Sequence, residues 1–164
     1  MGGEITERVA AALAELLDRD AITAVLHRYA EGMGSQDTAM VIDCFTDDAF
    51  IDYGFATIQG RAEMEEFFGA GPTGKGPIGL DATTSRMQLL PSISITLRGD
   101  EADVRSKGMS TYGGWRDGQA LVVMRSLEYD DELVRDGERW RIRRRVHLPG
   151  WQVELPALSV PPVP

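Results

Sequence analysis

Residues 119–148, QALVVMRSLEYDDELVRDGERWRIRRRVHL, decide the fold. Their apolar period is alternating rather than helical through Gln119 to Leu133 and again from Arg139 to Leu148 or beyond, the pattern of half-buried strands. Between them Arg135-Asp136-Gly137 reads as a hairpin turn in which glycine supplies the positive φ. Working outward, Thr84 to Leu97 and Ala102 to Tyr112 alternate in the same way and are divided by a second such turn, Arg98-Gly99-Asp100. Gly113-Gly114 through Gly118 reads as a longer, more mobile connection, and Pro91 predicts a bulge that re-aims its neighbours. Pro156 to Pro164 holds four prolines and cannot join a sheet interior, so the expected organisation is one domain over 1–155 and a proline-rich tail over 156–164. Trp151 and Leu155, after Pro149-Gly150, are expected to fold back and close the sheet.

The first half has a different period. From Glu4 no proline or glycine occurs before Gly32, and Val9, Leu13, Leu16, Leu17, Ile22, Val25, Leu26, Tyr29 and Met33 recur at helical spacing. Two helices with a joint near Asp20 are expected, because Asp18 or Asp20 suits a helix cap. Asp37 should cap a short helix carrying Met40, Val41, Cys44 and Phe45, interrupted at Asp47-Asp48 before a strand from Ala49 to Tyr53 that ends at Gly54. Ala56 to Gln59 reads as a short strand, and Arg61 to Phe68 as a helix with Met64, Phe67 and Phe68 inward. Gly69 to Asp81 is a Gly- and Pro-rich loop. Helices followed by an antiparallel meander make an α+β architecture, a cone-shaped barrel whose curved sheet wraps around the helices and leaves an internal pocket.

Composition narrows the partners. The chain has 164 residues, 43% hydrophobic, with 17 Lys and Arg against 26 Asp and Glu, a net charge of −9. That length and balance suit one folded domain, and the charge repels a nucleic-acid backbone. The basic run Arg139 to Arg145 is broken by Trp140 and Ile142. No apolar run reaches the roughly 20 residues of a membrane span, the start lacks a signal-peptide pattern, and the single cysteine, Cys44, suits a reducing compartment. A cytoplasmic protein with no nucleic-acid or membrane partner is expected.

Several short stretches, in this order, resemble one family. They are Asp20-Ala21-Ile22 with Tyr29, Cys44-Phe45-Thr46-Asp47-Asp48-Ala49, Asp52-Tyr53-Gly54, Gly60-Arg61-Ala62, Tyr129-Asp130-Asp131-Glu132-Leu133 and Arg139-Trp140-Arg141-Ile142. Together, over about residues 18 to 148, they are similar to the SnoaL-like group of the nuclear transport factor 2-like superfamily, whose members include polyketide cyclases, ketosteroid isomerases, scytalone dehydratase, epoxide hydrolases and dehydrochlorinases, beside members of no known activity. The resemblance implies a cone-shaped α+β barrel with a pocket, and a homodimer formed through the outer sheet face. Many catalytic members carry an aspartate base where this chain has Gly34 and a histidine where it has Gln88. Ile51-Asp52-Tyr53 resembles the scytalone dehydratase segment whose tyrosine holds a water against the substrate carbonyl, and Tyr53 stands 16 positions beyond Asp37 as in that enzyme. The dehydratase's helix tyrosine and aspartate fall on Met33 and Gly34.

The residues themselves supply three catalytic candidates. Tyr53 has a phenol able to donate to a carbonyl, Gln88 an amide able to bind a substrate oxygen, and His147 a base that titrates near neutrality, placed inward only if a bulge falls between Arg144 and Val146. Tyr29, Met33, Ser92, Tyr112, Trp115 and Met124 are expected to bind substrate as walls of an apolar cavity, with Met109 beside them. Each has a plainer reading: packed core for the aromatics and methionines, and an internal hydrogen bond to a neighbouring strand for Gln88. Asp43, Asp47, Asp48 and Asp52 form an acidic cluster without calcium-loop spacing, and Asp48 and Asp52 read as turn caps or arginine partners, so no metal is expected. His27 falls on the polar helix face. The expected function is a small-molecule cyclase, dehydratase or isomerase acting on an apolar oxygenated metabolite, polyketide or terpenoid-like, without a cofactor. The alternative is a ligand-binding or structural dimer without turnover.

Overall fold

The computed structural model describes residues 2–69 and 78–162. Its elements in order are α1 (Gly2–Ser35), α2 (Thr38–Asp43), β1 (Phe45–Asp52), β2 (Thr57–Gln59), α3 (Gly60–Gly69), β3 (Ala82–Arg98), β4 (Glu101–Arg116), β5 (Gln119–Asp136) and β6 (Arg139–Pro156). The strands form one curved, unclosed sheet in the order β2-β1-β6-β5-β4-β3, antiparallel throughout except that β1 runs parallel to β6. Helix α1 packs on β3 and β6, so α1 and α3 cover the inner face and the apolar residues between them form the core. Ile22, Leu26 and Tyr29 of α1, Phe45 and Ile51 of β1, and Leu133 and Ile142 of the β5–β6 hairpin have no exposed surface.

Several expectations are corrected. α1 is a single helix with no joint at Asp20, since nothing in it lacks an N–H or favours a bend. Asp18 serves the tertiary structure instead of a cap: its Oδ1 accepts from Arg135 Nη2 at 2.6 Å and Trp140 Nε1 at 3.0 Å. Residues 3–17 are exposed, Val9, Leu13, Leu16 and Leu17 among them. The helical period there predicts the helix but not a buried face.

Asp37 does cap α2, accepting from the Met40 N–H at 2.9 Å, but the helix is shorter than expected: Cys44 caps its end and Phe45 opens β1. Asp47 and Asp48 lie within β1 as exposed residues rather than interrupting the chain. The strand ends in a turn where Asp52 Oδ1 accepts from Gly54 N–H at 2.7 Å. Most of the expected loop from Gly69 to Asp81 lies outside the described residues.

Gly113 and Gly114 are not a mobile connection. They belong to β4, and a Cβ on Gly114 would collide with the Ala82 carbonyl, so the glycine permits close strand approach, while the turn is confined to Asp117-Gly118. The bulge at Pro91 is present as a register shift between Leu89 and Ser92, seated against Gly108, where a Cβ would meet the Leu89 carbonyl. Trp151 and Leu155 do not fold back. β6 continues past Pro149, pairing Gln152, Val153 and Leu155 with Arg125, Met124 and Val122, which leaves Trp151 56% exposed. Beyond it, the chain passes over β4 and β5, where Ala157 N–H donates to Ala120 O and Trp115 Nε1 to Pro161 O.

Candidate functional site

A cavity of about 950 Å³ lies between α1, α3 and the inner face of β3–β6. Strand alternation decides which side chains reach it, and the bulges reset the phase. In β3 the inward parity is Arg86, Gln88 and Leu90 before Pro91 and Ile93, Ile95 and Leu97 after it, so Ser92 is exposed and off the cavity. In β4 Ser106, Ser110 and Tyr112 point inward, so Trp115 and Met109 belong to the other face. In β5 Arg125, Leu127, Tyr129 and Asp131 point inward, and Met124 does not. Ser92, Trp115 and Met124 are therefore corrected: none lines the cavity.

The phase of β6 is set one step earlier than expected. Trp140 and Ile142 face the core, a register shift between the Leu133–Ile142 and Glu132–Arg144 pairs takes up the extra residue, and Arg145 and His147 then face inward. His147 is 7% exposed and lines the cavity, opposite Tyr129 in the strand register.

Three phenols converge there. Tyr29 from α1 and Tyr53 from the end of β1 share a hydrogen bond of 2.9 Å between their hydroxyls, and Gln88 Nε2 donates to Tyr129 Oη at 3.3 Å. The His147 ring lies 5.9 Å from that of Tyr53 and 5.3 Å from that of Tyr129. The Tyr53 ring lies nearly parallel to those of Phe55 and Phe67 at 5.9 and 5.5 Å, and those two are 6.4 Å from each other, so the three form one aromatic cluster that restrains Tyr53. Met33 and Tyr112 complete apolar parts of the wall. Gly34, where the resemblance leads one to expect an aspartate, does not line the cavity, and a Cβ there would sit in ordinary contact with Arg86 and Met87 backbone.

Electrostatics assign the groups different protonation behaviour. Burial pushes all three phenols upward, so they remain O–H donors at neutral pH. Burial and then the positive charge of Arg125 lower the His147 pKa, partly offset by the Tyr53 backbone, so this imidazole is neutral near pH 7. Its Nδ1 is buried without a hydrogen-bond partner. An acceptor nitrogen and several phenolic donors on one apolar wall are suited to taking a proton from carbon while holding the oxygen that becomes negative.

Beneath the phenols lies a pair that sequence reasoning missed. Arg145 and Asp131 are fully buried, joined by two hydrogen bonds, and the Arg145 Cζ stands 4.1 Å from the ring centroids of both Tyr29 and Tyr129. Burial works against the guanidinium charge, but Asp131 and the hydrogen bonds hold it well above its ordinary pKa, while burial raises Asp131 against the pull of Arg145. The available signal was parity, since Arg145 shares the face of His147 two residues on.

Three of the four acidic-cluster residues are structural partners: Asp43 meets Arg28, Arg139 and Arg141, Asp47 meets Arg61, and Asp52 caps its turn, whereas Asp48 is exposed on β1 and is engaged through its backbone carbonyl by Gln59. Among the described residues no group of three or more His, Cys, Asp or Glu is placed to hold a metal ion. Nor is any helix there long and apolar enough to cross a membrane. Cys44 is buried, its thiol pushed up to about 11 chiefly by burial, and donates to Met40 O. His27 is exposed on α1.

The SnoaL-like domain family matches residues 14–146. Among solved structures the chain is similar to a scytalone dehydratase candidate from Novosphingobium aromaticivorans, with 16% identity over 91% of this chain and 95% of that one and a TM-score of 0.72. It is similar to a hexachlorocyclohexane dehydrochlorinase, with 13% identity over 92% and 97% and a TM-score of 0.73. A nuclear transport factor 2-like protein of cystatin-like fold from Novosphingobium aromaticivorans matches with 22% identity over 85% and 86% and a TM-score of 0.60. At these identities the likeness is one of fold. No curated protein sequence matches the chain.

Proposed function

Because the chain belongs to the SnoaL-like domain family, we propose that its cavity isomerises, dehydrates or cyclises an apolar oxygenated metabolite, polyketide or terpenoid-like, without a cofactor. One observation carries this reading: Tyr53, Tyr129 and a neutral His147 line the same cavity, and the buried His147 Nδ1 has no hydrogen-bond partner. His147 takes a proton from the carbon beside a substrate carbonyl, and the negative charge that builds on the oxygen is held by the Tyr53 O–H. Tyr29, hydrogen-bonded to Tyr53, steadies that hydroxyl, and Gln88 orients Tyr129 as a second donor. From the resulting enolate three outcomes follow. Return of the proton to another carbon is isomerisation, loss of a β-hydroxyl that leaves as water with that proton is dehydration, and attack on a second carbonyl closes a ring.

A second reading is favoured by Gly34 and Gln88, which stand where catalytic relatives are expected to carry aspartate and histidine: a binding protein without turnover. Native mass spectrometry with a panel of polyketide, terpenoid and steroid-like ketones, followed by product analysis, separates the two. A bound ligand converted to an isomer or dehydrated product supports the enzyme, and tight binding without conversion supports the binder. A cytoplasmic homodimer is part of the same proposal. Its support is the apolar outer surface of Met87 and Leu89 on β3 and of Trp151, Val153 and Leu155 on β6, and sedimentation at monomer mass would refute it.

A further inference from the structure

Arginine is almost always matched with a carboxylate in this chain. Arg19, Arg28, Arg61, Arg98, Arg105, Arg116, Arg135, Arg139, Arg141, Arg143, Arg144 and Arg145 all have one within ion-pair distance. Two that line the cavity, Arg86 and Arg125, have no carboxylate partner among the described residues, and the Arg86 Nε is buried without any hydrogen bond. In a chain of net charge −9 carboxylates are abundant, so two cavity-lining guanidinium groups without one stand apart from the rest.

The register places the two together. Gln88, Ser110 and Arg125 form one cross-strand row on β3, β4 and β5, and Arg86 begins the adjacent row with Tyr112. By strand spacing their Cα atoms stand about 12 Å apart, a gap two arginine side chains close on a small anion between them. The carboxylates that also line the cavity, Glu63 and Glu66, lie on α3, which packs on β1 and β2, and Glu63 is engaged by the Gln59 N–H at 2.7 Å. Along β5 the reacting wall at Tyr129 lies about 13 Å of strand from Arg125.

We infer that the substrate is a carboxylate, its acid group clamped by Arg86 and Arg125 and its ring system directed toward Tyr53, Tyr129 and His147. This rests on the reading of the cavity as a ligand site given above. Guanidinium supplies parallel N–H donors that match the two oxygens of a carboxylate, and the terminal nitrogens of Arg86 and Arg125 are not among the buried unpaired atoms.

Titration calorimetry of 6-hydroxy-2-naphthoate and its methyl ester, against the wild type and the Arg86→Gln, Arg125→Gln, Arg86→Lys and Arg125→Lys variants, tests the clamp. The wild type should bind the acid at least about tenfold more tightly than the ester, the worth of a charge-assisted hydrogen bond. Each Gln variant should erase most of that preference by weakening the acid alone, and each Lys variant should keep part of it. Equal affinity for acid and ester, or a preference untouched in both Gln variants, overturns the inference. Ester binding without acid binding removes the clamp but leaves the cavity reading standing, whereas binding of neither, with circular dichroism showing a folded protein, removes both.

Discussion

Arg145 donates to Asp131 through Nε at 2.7 Å and Nη2 at 2.6 Å, and neither side chain reaches solvent. The Arg145 guanidinium lies over the rings of both Tyr29 and Tyr129, which meet edge-on at 5.9 Å, so the charge that anchors β6 to β5 also supports two phenols of the cavity.

Breaking that pair from one side should be severe. Arg145→Met leaves a buried carboxylate without its partner and is expected to cost about 3–5 kcal/mol, read as a lower midpoint in chemical denaturation. The double variant Arg145→Met with Asp131→Leu should recover much of the loss, since two apolar residues need no charge partner. Recovery of stability without recovery of ligand affinity would show that the pair positions Tyr29 and Tyr129.

Tyr53→Phe removes a hydroxyl and keeps the ring that packs with Phe55 and Phe67. Its kcat should fall about 10²-fold, in the range seen for loss of one oxyanion donor. Stability should fall by about 1 kcal/mol, since the buried Tyr29 hydroxyl loses this partner. Steady-state kinetics on the substrate found by mass spectrometry gives the split, and an effect confined to KM would assign Tyr53 to binding alone.

The pH dependence follows from His147. Its folded-state pKa is lowered below the ordinary 6.5, so the base stays unprotonated through neutrality and the acid limb of kcat/KM should lie below pH 6.5. Stability carries the same signature: as pH falls below 6.5 the unfolded chain takes up the proton first, and stability declines until the folded imidazole is protonated too. His147→Gln should abolish the limb and remove that part of the stability slope.

Gly108→Ala tests the bulge. A Cβ there meets the Leu89 carbonyl, so the β3–β4 register must shift, with an expected loss of about 1–3 kcal/mol. Because Arg86 and Gln88 lie just before the bulge, ligand affinity should fall with stability.

The alternating period and the glycine turns at Gly99 and Gly137 made the meander legible, and an unbroken helical period made α1 legible. Phase was the hidden variable. A strand's inward set changes at each bulge, so Ser92, one residue past Pro91, lies on the outer side against the expectation, and the inward face of Arg145 and His147 depends on a register step between Ile142 and Arg144. Gly113 and Gly114 misled for a related reason, since glycine marks close backbone approach as readily as a turn. The match of Arg145 to Asp131, and the lack of one for Arg86 and Arg125, depends on which strands become neighbours and is absent from any local pattern.

The most direct measurement of the central claim is proton exchange at carbon. Incubated with 2-tetralone in D2O and followed by proton NMR, the wild type should exchange the protons beside the carbonyl well above the buffer rate, and Tyr53→Phe and His147→Gln should each lose about 10²-fold or more of that acceleration. Exchange at the buffer rate in a wild-type protein shown by native mass spectrometry to hold the ketone would contradict the account and leave a binding protein.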